Sequence, residues 1–92
     1  MTVSWTPTSL RDLRSLHSYI SEGNPSAALG VVETLLKGIE ALTRNPQIGR
    51  VGRAAGSREL VIAPYMIAYR SRKSVIEILG IIHGSRRWPD SF

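Results

Sequence analysis

The chain has 92 residues and no cysteine, so it is expected to form one domain, residues 1–92, without disulfides or a thiolate metal site. Its first residues lack the basic and apolar regions of a secretory signal, and no apolar stretch approaches the roughly 20 residues of a membrane span. These features predict a cytoplasmic protein that does not bind a membrane.

The net charge of +5 lies entirely in the second half of the chain. Residues 1–49 contain four basic and four acidic side chains, whereas residues 50–92 contain eight basic and three acidic ones. Ten of the twelve cations are arginine, whose planar guanidinium binds phosphate and carboxylate through paired hydrogen bonds. The distribution favours nucleic acid or an acidic protein as a partner, and an ordinary solvated basic surface is the alternative.

The first half predicts a strand followed by two helices. Residues 2–5 alternate polar and apolar side chains, as in a short strand. Thr6-Pro7 and Asn24-Pro25 each combine an N-cap residue with proline at the first helical position, so each begins a helix. Apolar residues then recur at spacings of three and four, and the helices end at Gly23 and before Asn45-Pro46.

The second half predicts a loop and three strands. Residues 46–57 contain three glycines without periodicity and are expected to form a loop. Strands are expected over residues 58–62, 65–70 and 75–83, with a turn at residues 71–74. The order β-α-α-β-β-β predicts an α+β fold, in which a helical hairpin packs on one face of a small antiparallel sheet.

The last hairpin decides which side chains share a face. A turn centred on Arg72-Lys73 would place Arg70 opposite Val75 and Ala68 opposite Glu77. One face would then carry Met66, Ala68, Arg70, Val75, Glu77, Leu79, Ile81 and His83, and the other Tyr65, Ile67, Tyr69, Ile76, Ile78 and Ile82. The second set should pack on the helices, although a slip of one residue would reverse the assignment.

Arg70, His83, Arg86 and Arg87 are the residues that could bind phosphate or support chemistry. Metal-free RNA cleavage needs a general base, a general acid and cations on the phosphate; histidine can supply the first two roles and arginine the third. In the alternative interpretation, His83 lies at the end of a strand and forms a hydrogen bond with the backbone, and Arg70 pairs diagonally with Glu77 across the hairpin.

Trp88 could stack on a nucleic-acid base or cover the small core. No Gly-rich phosphate loop is indicated, because the glycines at 49, 52 and 56 precede a strand rather than a helix. No other pattern indicates a cofactor or a metal site.

The element order, the segment SRELVIAPYMIAYR and the hairpin SVIEILGIIHGSRRWP together resemble the RelE/ParE superfamily of bacterial toxins, most closely its ParE branch. This resemblance covers nearly the whole chain. It implies the toxin half of a type II toxin–antitoxin pair, with a cognate acidic antitoxin that wraps around the toxin in a hetero-oligomer.

The superfamily contains two activities. RelE-like members cleave mRNA on the ribosome without a metal, and ParE-like members poison DNA gyrase. The resemblance aligns Arg70 with the strand arginine of RelE-like enzymes and His83 with the neighbourhood of their C-terminal catalytic position. However, no tyrosine follows Tyr69, and only nine residues follow His83. The resemblance therefore implies the ParE-like, non-nuclease activity, with the RelE-like nuclease as the alternative.

Overall fold

The architecture is a layer of two helices on a five-stranded sheet, seen in a computed structural model that describes residues 1–84. The elements in chain order are β1 (Thr2–Trp5), α1 (Pro7–Gly23), α2 (Pro25–Arg44), β2 (Arg50–Val51), β3 (Arg58–Ile62), β4 (Tyr65–Arg72) and β5 (Val75–His83). This arrangement confirms the predicted α+β class and the predicted helix boundaries.

Both helices begin at the predicted caps. The Thr6 hydroxyl accepts a hydrogen bond from Ser9 N–H at 3.2 Å. Asn24 joins the two helices: its N–H donates to Ile20 C=O at 2.9 Å, and its side chain accepts from Ala27 N–H at 3.1 Å. One residue therefore ends α1 and begins α2, which fixes the helical hairpin. Neither helix is long and apolar enough to cross a bilayer within the described part of the chain.

The sheet has the strand order β1-β5-β4-β3-β2. β1 lies parallel to β5, and the remaining neighbours are antiparallel, so the sheet is mixed rather than purely antiparallel. The two-residue strand β2 lies within the segment predicted as a loop and pairs with Arg58 and Glu59 of β3.

The core lies between the helices and one face of the sheet, which we call the helix face. Leu35, Ile39 and Leu42 of α2 are at most 3% exposed. They pack with five buried side chains of the last hairpin: Ile67, Tyr69, Ile76, Ile78 and Ile81. We call the opposite face of the sheet the far face.

The predicted register of the last hairpin is wrong. Its turn lies at Lys73-Ser74, so Arg72 is opposite Val75, and Arg70 is opposite Glu77. This displacement by two residues preserves the predicted faces near the turn. Further along, Tyr69 is opposite Ile78 but Ala68 is opposite Gly80, which makes Leu79 an extra residue in β5.

The extra residue exchanges the two faces for the rest of β5, because side chains alternate along a strand. Ile81 is opposite Ile67 and lies on the helix face, where Ile82 was predicted. His83 is opposite Tyr65 and also lies on the helix face. Arg70 lies on the far face, so the prediction that Arg70 and His83 share a face is wrong.

Candidate functional site

Arg70 forms an ion pair on the far face. Its Nη2 and Nε atoms donate to Glu77 Oε1 at 2.6 and 3.1 Å, and the two side chains are 32% and 34% exposed. The pair connects β4 and β5 at directly opposite positions. This contact matches the alternative interpretation of Arg70 as a partner of Glu77, with direct rather than diagonal pairing.

His83 lies at the end of β5, beside α1 rather than beside Arg70. Its ring meets the ring of Tyr65 edge to face, with centroids 5.4 Å apart. Both rings line a cavity of about 180 Å³, together with Asp12 and Tyr19 of α1. A catalytic pair of Arg70 and His83 on one sheet face therefore has no physical basis.

The remaining predicted site residues, Arg86, Arg87 and Trp88, lie outside the described residues. Their binding role stays a prediction from the sequence.

A buried carboxylate organises the basic segment that precedes β3. Glu59 is 2% exposed, and its Oε1 accepts from Arg50 Nη2 and Nε at 3.1 and 3.2 Å. Its Oε2 accepts from the backbone N–H of Arg53 at 2.9 Å. Glu59 thus binds the Arg50 side chain and one backbone donor, also forms an ion pair with Arg53 Nε at 3.8 Å, and holds the segment against the sheet. The sequence places Glu59 in a strand but gives no sign of these partners.

The far face carries alternating charges across four strands, which we call the Arg–Glu row. Its members are Arg50, Glu59, Arg70 and Glu77, one on each of β2, β3, β4 and β5. Glu59 is opposite Ala68, so Arg70 is its diagonal neighbour, a separation of about 7–8 Å between Cα atoms. Arg50 also reaches Met66, with Nη2 3.3 Å from Sδ. At its Arg50 end, the row therefore lies against an apolar side chain.

Tyr69 fixes the same segment from the helix face. Its hydroxyl accepts from Gly49 N–H at 2.9 Å and donates to Pro46 C=O at 2.7 Å. Burial raises the pKa of this hydroxyl, while the Gly49 hydrogen bond and the charge of Arg58 oppose the shift. A side chain on Gly49 would meet the Tyr69 ring, because a Cβ there would lie 2.6 Å from the hydroxyl oxygen.

The described residues contain no group of three or more His, Asp or Glu side chains that could hold a metal ion. The groups that remain are arginines positioned by carboxylates, which can bind an anionic partner.

Comparison with known proteins assigns the class. Residues 3–88 match the family described as the ParE toxin of the type II toxin–antitoxin system parDE. A Sinorhizobium fredii protein named "Putative toxin Y4kP" is 40% identical over an alignment of 89 residues, with coverage of 95% of this chain and 92% of that protein.

Two solved structures share the fold. One is described as the chromosomal ParDE toxin–antitoxin system of P. aeruginosa, with a TM-score of 0.78, 26% identity, and coverage of 90% of this chain and 95% of that chain. The other is the RelBE2 toxin–antitoxin complex of Mycobacterium tuberculosis, with a TM-score of 0.63, 28% identity, and coverage of 89% and 95%. The chain belongs to the ParE toxin family of type II toxin–antitoxin systems, within the RelE/ParE superfamily.

Proposed function

We propose that this chain inhibits bacterial growth in the ParE manner, by poisoning DNA gyrase, and that a cognate acidic antitoxin neutralises it. Family membership supports the proposal, as does the higher TM-score with the ParDE structure, 0.78 against 0.63 for RelBE2. The observation that carries the non-nuclease part is the extra residue Leu79, which separates His83 from Arg70.

Metal-free RNA cleavage requires proton-transfer groups and cations around one phosphate. Here the Arg70 guanidinium is bound to Glu77 on the far face, while the His83 ring lies against Tyr65 on the helix face. A phosphate held by Arg70 would have the sheet between itself and His83. The far face is therefore suited to binding rather than to cleavage.

The alternative function is a RelE-like, ribosome-dependent mRNA endonuclease that needs no metal. The similarity to the RelBE2 complex, at 28% identity over 89% of this chain, favours it. In that case His83 and Arg70 could not both contact the scissile phosphate, because they lie on opposite faces of the sheet.

The antitoxin partner is supported by charge as well as by family. The half of the chain that includes the Arg–Glu row carries the whole net charge of +5. An acidic segment that folds on binding could cover such a surface and would be proteolysed easily when released.

Induction in cells tests the proposal. Verified soluble protein should arrest growth, and co-expression of the acidic partner should relieve the arrest. A gyrase poison should induce DNA-damage signalling and filamentation while primer extension finds intact transcripts. Transcripts cut within codons soon after induction would establish the nuclease alternative, and unimpaired growth would refute the proposal.

The proposed binding residues Arg86 and Arg87 can be tested in the same cells. Charge reversal to Glu at both positions should abolish growth arrest, because an anionic partner would meet two negative charges. Arg44→Glu is the matched control, since this exposed arginine of α2 belongs to the electrically neutral half of the chain. Equal toxicity of both variants would remove Arg86 and Arg87 from the proposed site.

A further inference from the structure

The cavity between α1 and the end of β5 contains a carboxylate with an unusual environment. Asp12 lines this cavity, and its Oδ2 atom accepts a hydrogen bond from Ile81 N–H at 3.0 Å. The last residue of β1, Trp5, is opposite Ile78, so β5 continues past the end of its neighbour. The Asp12 carboxylate therefore accepts from a backbone N–H of β5 that β1 is too short to pair with. This hydrogen bond fixes the carboxylate at the cavity wall.

Asp12 has no ion-pair partner among the described residues, which distinguishes it from the other partly buried carboxylates. Glu59 and Glu77 are each bound by arginine. Glu22 and Glu33 also lack such a partner within residues 1–84, but both are exposed to solvent. A half-buried negative charge that no residue within 1–84 neutralises favours an incoming cation, since burial weakens the competing hydration.

Aromatic rings form other parts of the same wall. Tyr65 lies inside the cavity with its ring against His83, and Tyr19, 73% exposed, stands at the rim. Cations are attracted to the faces of such rings, and a guanidinium can also stack on them. Ser15 adds a hydroxyl that can accept a hydrogen bond from the same group.

The size of the cavity suits a ligand group as small as one side chain. Its volume is about 180 Å³. Pockets for drug-sized molecules start at about 300 Å³. We propose that this cavity binds the guanidinium group of an arginine side chain presented by a partner protein, with Asp12 as the counter-ion and Tyr19 and Tyr65 as aromatic contacts. The site lies on the helix side of the sheet and is independent of whether the target is gyrase or the ribosome.

Nuclear magnetic resonance titration of the full-length chain tests this site. The probe is Nα-acetyl-arginine N-methylamide, and its neutral counterpart is the same derivative of citrulline. We expect saturable shifts at the Ile81 amide and the Tyr65 ring, with arginine binding about tenfold more tightly than citrulline. Equal affinities, or no saturable shift with arginine, would overturn the proposal.

Two pairs of variants assign the residues. Asp12→Asn should weaken arginine binding about tenfold, because Asn keeps an acceptor for Ile81 N–H but loses the charge. Glu22→Gln removes an exposed carboxylate from the same helix and should leave binding unchanged. Tyr19→Ala should weaken binding about threefold, whereas Tyr19→Phe should retain it. Since Tyr19 is exposed, its variants decide the question even if Asp12→Asn disturbs the fold; undiminished binding by Asp12→Asn or Tyr19→Ala would contradict the assignment.

Discussion

Tyr69 is a fully buried residue whose hydroxyl joins the sheet to the segment that carries Arg50. Tyr69→Phe removes the acceptor of Gly49 N–H and the donor to Pro46 C=O. Because buried backbone groups then lose their partner, the free energy of unfolding should fall by about 1–3 kcal/mol in urea denaturation. The control is Tyr19→Phe, at a residue that is 73% exposed, with a change within about 0.5 kcal/mol. A similar loss in both variants would contradict the role of the Tyr69 hydroxyl.

The stability difference between wild type and Tyr69→Phe should also depend on pH, with a defined sign. Burial raises the pKa of the folded-state Tyr69 hydroxyl above its ordinary value of 10.0. In the unfolded chain this group ionises near the ordinary value, so its stabilising effect is complete below pH 10.0 and is lost as pH rises through the folded-state pKa. The stability difference between wild type and Tyr69→Phe should therefore shrink above that pH. A difference that widens there would show that the shift has the opposite direction.

Glu59 is the buried charge whose loss should matter most to the basic segment. Glu59→Gln keeps the shape but removes the charge that binds Arg50 and the N–H of Arg53. The expected loss of unfolding free energy is about 1–3 kcal/mol, less than for a fully buried pair, because the Arg50 side chain is 57% exposed. Glu40→Gln breaks a pair whose members are 69% and 71% exposed and should cost at most about 0.5 kcal/mol. Equal costs would refute the organising role of Glu59.

Among the elements, the β4–β5 turn offers the clearest test of local backbone strain. Lys73 and Ser74 have φ angles of 47° and 67°, a left-handed conformation that favours glycine and asparagine. The double substitution Lys73→Asn and Ser74→Gly should raise the unfolding free energy by about 1 kcal/mol, measured by thermal denaturation.

Ser71→Gly is the control for this turn. Ser71 lies in β4, opposite Ile76, where glycine should destabilise by about 0.5–1 kcal/mol. If the turn substitution also destabilised the protein, the strain assigned to Lys73 and Ser74 would be absent.

The same hairpin shows which parts of the fold the sequence could predict. The helices were predictable because caps and prolines at Thr6-Pro7 and Asn24-Pro25 are local signals that the structure uses directly. The position of the β4–β5 turn was not predictable, since Lys73-Ser74 lacks the Asn or Gly that usually marks left-handed positions. Gly80, next to the extra residue Leu79, was the one available sign of a bulge, because glycine inside a strand often marks one.

The candidate site was less predictable than the fold, for reasons of distance along the chain. Asp12 meets Ile81 across 69 positions, and no local pattern connects them. Glu59 contacts Arg50, which lies 9 positions earlier in the chain. Arg50 belongs to a strand of two residues, which is too short to produce periodicity. The contact between Arg70 and Glu77 was predictable, since opposite charges on neighbouring strands are expected to meet, but the sequence indicated a diagonal pair and the structure has a direct one.

At the scale of the whole molecule, two surfaces of different character lie on opposite sides of the sheet. The far face carries the Arg–Glu row and the exposed Arg72, so basic groups outnumber acidic ones there. The helix side carries the cavity lined by Asp12, a carboxylate with no ion-pair partner within residues 1–84. A single neutralising partner could engage both surfaces if it carried an acidic segment and one well-placed arginine.

The most direct test of a ParE-like, non-nuclease toxin uses purified components. The full-length chain is incubated with DNA gyrase, ATP and supercoiled plasmid, and the reaction is stopped with detergent and protease. The proposed function predicts linear plasmid that accumulates with toxin concentration and is absent without gyrase. Intact supercoiled DNA at saturating toxin, together with codon-specific cleavage of mRNA on purified ribosomes by the same preparation, would contradict it.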